Sequence, residues 1–261
     1  MTDLEKLSEY FFELSNEERL RILQILSIKP STLTRLSAEL EIRNQQCSRH
    51  LTRLSSHGFV TKNQEGNYIL TPFGELALAQ LGGPIFSVKH RDYFMNHLVS
   101  VLPDEFLMRI GELVEMTYID DVMVVFRNIE NMFKEAEKET LRITDRYMMI
   151  IVKESLAATQ RGVSLKIITP KEMEYPPDVE QLSTFEEPWR ERLHETREVD
   201  QVKVFLAMSE KEVAALAFPT LDGKFDYRGF RSEDPGSIGW CRDLFDYYWS
   251  MAGPKEELLW K

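Results

Sequence analysis

Residues 43–70 of the chain read RNQQCSRHLTRLSSHGFVTKNQEGNYIL. Set the first half on a helix at about 100° per residue, with Cys47 at the centre of the buried side. Leu51 and Leu54 then fall within about 40° of it. Gln45, Ser48, Arg49 and Thr52 point the opposite way, with Gln46 next to them and Arg53 on the flank. That outward set is neither apolar nor acidic. An amide can pair with the edge of adenine, and a guanidinium with guanine or a phosphate. Serine and threonine are short enough to let a helix enter a groove about 12 Å wide. A merely solvated face has the same composition, so the neighbouring sequence must decide.

The second half reads as two short strands, 59–61 and 67–70, joined through Glu65-Gly66. They bring Lys62, Asn63, Asn67 and Tyr68 beside the helix for backbone or minor-groove contact. From Lys29 to Lys62 the net charge is +4, in a chain whose formal charge is −11. One basic window in an acidic protein suggests a local contact with a polyanion.

The elements that must position these groups can be read on either side. Leu4, Leu7, Phe11 and Leu14 recur at helical spacing. Ser15 and Glu18 form a capping box that opens a second helix, with Leu20, Leu23 and Leu26 on one face. Pro30 ends that helix, and Ser31 caps a third carrying Leu33, Leu36 and Leu40. Residues 41–44 turn the chain into the fourth helix, which Gly58 ends as a left-handed cap. Thr71-Pro72 starts a fifth helix, running to about Leu81, and Gly82-Gly83-Pro84 breaks the chain. Helix, turn, helix and two-stranded wing is the winged helix-turn-helix order, predicted here for residues 1–83.

Residues 84–138 read as a helical connector. Leu107, Ile110, Leu113 and Val114 form one stripe, and Val122, Val125, Phe126, Ile129 and Phe133 another. In residues 139–261, strand 141–147, helix 148–160, Gly162 and strand 163–169 make a βαβ unit. Two apolar runs follow, 203–208 and 213–218. Asp234-Pro235 then opens a last helix with Trp240, Leu244, Tyr247 and Met251 at helical spacing. Cys47 and Cys241 are the only cysteines, too few for a disulfide framework or a cysteine-rich metal site, and in keeping with a reducing cytoplasm. No segment approaches the roughly 20 apolar residues of a membrane helix, and MTDLEKLSEY is too acidic for a signal peptide.

Ser48-Arg49-His50-Leu51, Leu54 and Gly58-Phe59-Val60 resemble the SxHLxxLxxxGxV core of ArsR-type winged-helix regulators, over about residues 10–80. The resemblance implies a recognition helix from Gln45 to His57. The paired cysteines of metal-sensing members are absent beside Cys47, so metal sensing by that route is not expected. Cys47 is expected in the core, and His50 as a packing residue. Residues 164–169 after Arg161-Gly162, the run 202–218, and Trp240 with Leu244 to Trp249 resemble the effector domains of archaeal methanogenesis-type regulators. More distantly, they are similar to the phospholipase-D-like sensor domain of TrmB-type regulators. The fold class expected is therefore α+β: N-terminal winged helix-turn-helix, helical connector and C-terminal α/β sensor domain with a βαβ unit.

Phospholipase D chemistry needs His-x-Lys, so that histidine attacks phosphorus while lysine neutralises charge. His194 is followed by Glu195 and Thr196, and His50, His57, His90 and His97 also lack the lysine. No Gly-rich phosphate loop, HExxH or GxSxG appears. No catalytic residue, metal or cofactor is assigned. A βαβ sheet does offer a crevice at its strand ends. Thr144, Asp145, Thr169, Lys171 and Arg228 lie near those ends as candidate effector contacts, with Trp240 as a wall. Arg142 and Lys166, within strands, are expected to meet solvent or carboxylates. Palindromic sites need two recognition helices about 34 Å apart, so a homodimer is expected, with 84–138 as its interface.

The expected function is a cytoplasmic, sequence-specific transcriptional regulator with no membrane segment. It would bind double-stranded DNA and sense an unidentified small molecule or partner. A winged-helix protein-interaction module is the alternative, and a phosphodiester-processing enzyme a third reading.

Overall fold

The computed structural model describes residues 2–173 and 194–255, which divide between two compact units, Met1–Gly82 and Gly83–Lys261. The first unit runs α1 (Asp3–Leu14), α2 (Glu17–Ile28), α3 (Leu33–Glu39), α4 (Asn44–Ser56), β1 (Val60–Lys62), β2 (Tyr68–Leu70) and α5 (Pro72–Ala79). Ile22, Leu23, Leu36, Cys47, Leu51, Leu54 and Phe59 are buried together, so the stripes predicted on α3 and α4 do meet in one core.

The caps differ by one residue from expectation. Asn16, not Ser15, caps α2 by accepting from the Arg19 amide at 3.0 Å. Ser15 instead ends α1, its hydroxyl donating to the Phe12 carbonyl. The capping box lies at the head of α1, between Thr2 and Glu5. Thr32, not Ser31, caps α3, because Ser31 pairs with Tyr68 and adds a bridge on the other side of β2. Gly58 does close α4. At φ +79° it places its own N–H on Ser55 and that of Phe59 on Leu54, the two bonds that satisfy the last carbonyls of a helix.

The start of α5 is clamped to that cap. Thr71 caps the helix through the Gly74 amide, and the Thr71 amide donates to the Phe59 carbonyl at 3.0 Å. A Cβ at Gly74 would lie 2.0 Å from that same carbonyl oxygen.

The second unit is built on an eight-stranded mixed sheet, in the order β10-β6-β5-β4-β7-β8-β9-β3. Its strands are β3 (Thr117–Ile119), β4 (Glu139–Ile143), β5 (Ser164–Pro170), β6 (His194–Val199), β7 (Phe205–Ser209), β8 (Val213–Ala217), β9 (Gly229–Ser232) and β10 (Gly253–Pro254). β4, β5 and β6 are parallel, and the other pairings are antiparallel. β4, α10 (Val152–Gln160) and β5 form the βαβ unit, with Gly162 at φ +88° ending the helix. Contacts with α9 (Val122–Glu135) and α10 fall on one side of the sheet. Those with α11 (Pro235–Met251) fall on the other, where Lys166 and Arg197 lie over the Trp249 ring.

Residues 84–138 are not a separate connector. They run through α6 (Gly82–Lys89), α7 (Arg91–Phe94), α8 (Asp104–Met108), β3 and α9. Phe86, Tyr93, Phe106, Leu113, Val125, Ile129 and Phe133 are buried in the same core as the sheet. The predicted stripes are therefore covered by their own chain, which takes away the basis for a dimer interface there. Trp240 is also core: fully buried, it donates from Nε1 to the Phe106 carbonyl and walls no pocket. The buried face of α11 is Trp240, Cys241, Leu244, Phe245 and Tyr248, and Met251 is exposed.

Gly74→Ala is expected to destabilise the first unit by roughly 1–3 kcal/mol, the usual cost of forcing atoms into a packed site. A lower urea midpoint with an unchanged slope checks it.

Candidate nucleic-acid interface

α3 and α4 are joined by a turn in which Glu41 adopts φ +57°, a conformation rare outside glycine. The Ser37 hydroxyl donates to the Asn44 side chain and ties the two helices together across that turn. On α4, Gln45, Arg49 and Thr52 are exposed, while Gln46 and Ser48 are half-buried. Thr52 returns its hydroxyl to the Ser48 carbonyl at 2.9 Å. Arg49 has no ion pair among the described residues, and one turn separates it from Gln45. This pair gives the helix an open hydrogen-bonding surface.

Arg53 is different. Its guanidinium donates to both oxygens of Glu13, at 3.1 Å through Nε and more closely through Nη2, and it lies over the Phe12 ring. Glu13 is only 1% exposed. Arg19 of α2 approaches the same carboxylate at 3.5 Å and donates to the carbonyls of Glu13 and Phe12, at the end of α1. His57 stands 3.8 Å away on the far side. The bond from Arg53 holds the Glu13 carboxyl below the usual range, against the opposing effect of burial, with the charges of Arg19, Arg53 and His57 adding to it. Arg53 thus anchors α4 to α1, where sequence placed it at the groove.

The wing shows a similar division. Asn63 accepts from the amides of Glu65 and Asn67, and the Asn67 amide group donates to Glu65, so both asparagines build the turn. Gly66 at φ +81° completes it. Lys62 lies 4.9 Å over the Tyr68 ring, and this pair remains available at the surface. Sequence reasoning passed over Arg35 and Arg43, which are exposed and without ion pairs among the described residues. Both fall inside the basic window, which was the signal that could have found them. Cys47 is buried, with its thiol pushed up by burial, and His50 is pushed down by the same cause.

In the second unit a cavity of about 290 Å³ opens where β4, β5 and β6 end. Asp145, Arg146, Pro170, Asp200, Gln201, Val202, Gly223, Lys224 and Phe225 line it. Of the residues predicted there, Asp145 is present, and Lys171 reaches only the lining residue Asp200, at 2.6 Å. Thr144 is spent on the backbone of Arg146, and Thr169 is buried in its strand. Arg228 pairs with Asp120 and Asp226 and is not in the lining. Tyr227, unforeseen, donates to both Asp145 oxygens under the Arg146 guanidinium. It does so at φ +62°, a strained conformation for an aromatic residue.

Residues 14–63, spanning α2 to β1, match a helix-turn-helix domain family. No curated protein matches the chain. Among solved structures it is similar to TrmBL2, an archaeal chromatin protein described as showing a novel mode of DNA binding. That match has 18% identity over 92% of this chain and 94% of that one, with a TM-score of 0.43. Nuc, a phospholipase D family member from Salmonella typhimurium, has 11% identity over 49% and 89%, with a TM-score of 0.37. The riboflavin-derivative dimethyltransferase RosA from Streptomyces davawensis has 16% identity over 77% and 68%, with a TM-score of 0.26. No helix among the described residues is long and apolar enough to cross a membrane.

Glu13→Gln is expected to cost about 1–3 kcal/mol, since it removes the negative charge and turns an N–H donor toward one arm of the Arg53 fork. The sign with pH follows from the lowered carboxyl. Its stabilisation is complete above the ordinary carboxylate range and is lost as pH falls through the folded value. Denaturant melts of the two proteins should therefore converge toward acid pH.

Proposed function

We propose that the chain is a sequence-specific DNA-binding transcriptional regulator that reads the major groove through α4. The observation that carries this is Arg49, an exposed cation without an ion pair among the described residues, one turn beyond exposed Gln45. It sits on the second helix of a helix-turn-helix domain, in an otherwise acidic chain. Lys62 and Tyr68 of the wing, with Arg35 and Arg43, supply phosphate contacts that add affinity and salt dependence without sequence information. The second unit acts as the sensor, with the cavity at the ends of β4, β5 and β6 as the effector site. Its sparse cysteines support a reducing cytoplasm as its location.

The regulator works as a homodimer, and the surface that pairs is α1 in place of 84–138. Leu4, Leu7 and Phe11 lie along one side of that helix at 77%, 47% and 56% exposure, with only Leu14 of the stripe buried. Such a stripe on a helix that holds the recognition helix through Glu13 suits a second copy of itself. Effector binding that favours one dimer geometry would change DNA affinity reciprocally.

Fluorescence anisotropy with the protein's own upstream DNA tests the reading. Preference over scrambled duplex should reach roughly 10³-fold, with a steep salt slope. Arg49→Ala should lose at least roughly tenfold in affinity and relax the preference at one base position. Equal binding of native and scrambled duplex would overturn the regulator reading and favour a protein-interaction module. Phe11→Glu should turn a dimer into a monomer by light scattering while leaving the melting curve of the fold intact.

A further inference from the structure

Arg142 is the last residue but one of β4, between Leu141 and Ile143. Those two leucine-like neighbours face α11, and Arg142 faces α9 and α10, together with Thr140 and Thr144. Its side chain is interior, since the residue is 6% exposed. Among the described residues no carboxylate lies within ion-pair distance of it. The guanidinium donates to Met148 Sδ at 3.4 Å and sits 5.9 Å from the Phe133 ring centre. The sequence expectation of solvent or a carboxylate is therefore not met.

Arginines of the unit that are far more open to solvent are nevertheless better matched. Arg231 is paired with Glu212 at 2.9 Å, Arg242 with Glu139 at 2.6 Å, and Arg161 donates to the Phe133 carbonyl at 2.7 Å. A thioether is a weak neutral acceptor, and among the described residues it is the one hydrogen-bond partner seen for this guanidinium. Burying a charge without a counter-charge is costly, and a leucine or methionine at this position would pack without that cost. The titratable neighbours do not supply the missing charge. His194, across the sheet on the same face, is pushed down to about 4 by burial and then by the Arg142 charge, so it is neutral near pH 7. Tyr147 is a phenol. On the same face the hydroxyls of Thr140 and Thr169 are buried with no hydrogen-bond partner.

We propose that Arg142 anchors an anion site on the α9/α10 face of β4, taking a small molecule through a carboxylate or phosphate group. The guanidinium fork matches two oxygens of either group. Met148 holds the acceptor position when the site is empty of ligand. It is an unbranched side chain that can repack, and it heads the 3₁₀ turn Met149–Ile151, in which Ile150 is at the surface. The site is separate from α4 and rests on no assumption about DNA.

The test is thermal unfolding of the full chain in sodium phosphate, in sodium succinate and in sodium chloride at matched ionic strength. The expected result is a saturable rise in Tm with phosphate or with succinate and none with chloride. Phosphate alone identifies a phosphoryl ligand, and succinate alone a carboxylate. Arg142→Met should melt higher than the natural protein in chloride and lose the saturable rise. Arg142→Lys, which keeps charge but not the fork, should need at least tenfold more anion for half the effect. No saturable rise with either anion, an unaltered response in Arg142→Met, or an Arg142→Met protein that melts lower in chloride would each overturn the proposal.

Discussion

The first unit depends on one buried carboxylate. Glu13 sits at the end of α1, where a helix leaves carbonyls unpaired. Arg19 from α2 answers those carbonyls with its N–H groups and the carboxylate with its charge. Arg53 from α4 closes the other side. Three helices are thus fixed by one acidic group: without it Arg53 would lose both of its acceptors, and Arg19 would keep its carbonyls but lose its counter-charge. A buried ion cluster of this kind adds little net stability compared with apolar packing. Its value lies in direction, because it admits one orientation of α4 against α1 and disfavours others that a leucine core would tolerate.

Much of this unit was legible because short-range rules govern it. Gly58, Thr71-Pro72 and the apolar spacing of α3 and α4 each act within a turn or two of the chain. The caps at Ser15 and Ser31 were misplaced because Ser15-Asn16 and Ser31-Thr32 offer two competent caps in a row. Packing elsewhere chooses between them, as the pairing of Ser31 with Tyr68 shows. The outward face of α4 could be read from 100° steps, but the fate of Arg53 could not, since its partner stands 40 residues earlier. The turn-building role of Asn63 and Asn67 was missed for a different reason. Asparagine in a turn serves its own backbone as readily as a ligand.

In the second unit the βαβ element and the β7–β8 hairpin were visible as apolar runs. β6, β9 and the edge strands were not, because HETREV alternates charge with polarity and the edges are only two or three residues long. The helical stripes of 84–138 were real, but periodicity says that a face is buried and not which surface buries it. Asp145 was found from the rule that ligands meet strand ends. Tyr227, Lys224 and Phe225 come from the far side of the sheet order, which no local pattern reveals.

The two borders of the sheet have a further bearing on how the protein behaves when concentrated. β3 offers three residues and β10 two, and one of those two is Pro254, which has no N–H to give. An open sheet normally ends in a row of free donors and acceptors that can recruit a strand from another molecule. Here such a row is too short at one border and interrupted at the other. Among the described residues, the borders of this sheet therefore give an incoming strand little to pair with, which works against end-to-end addition.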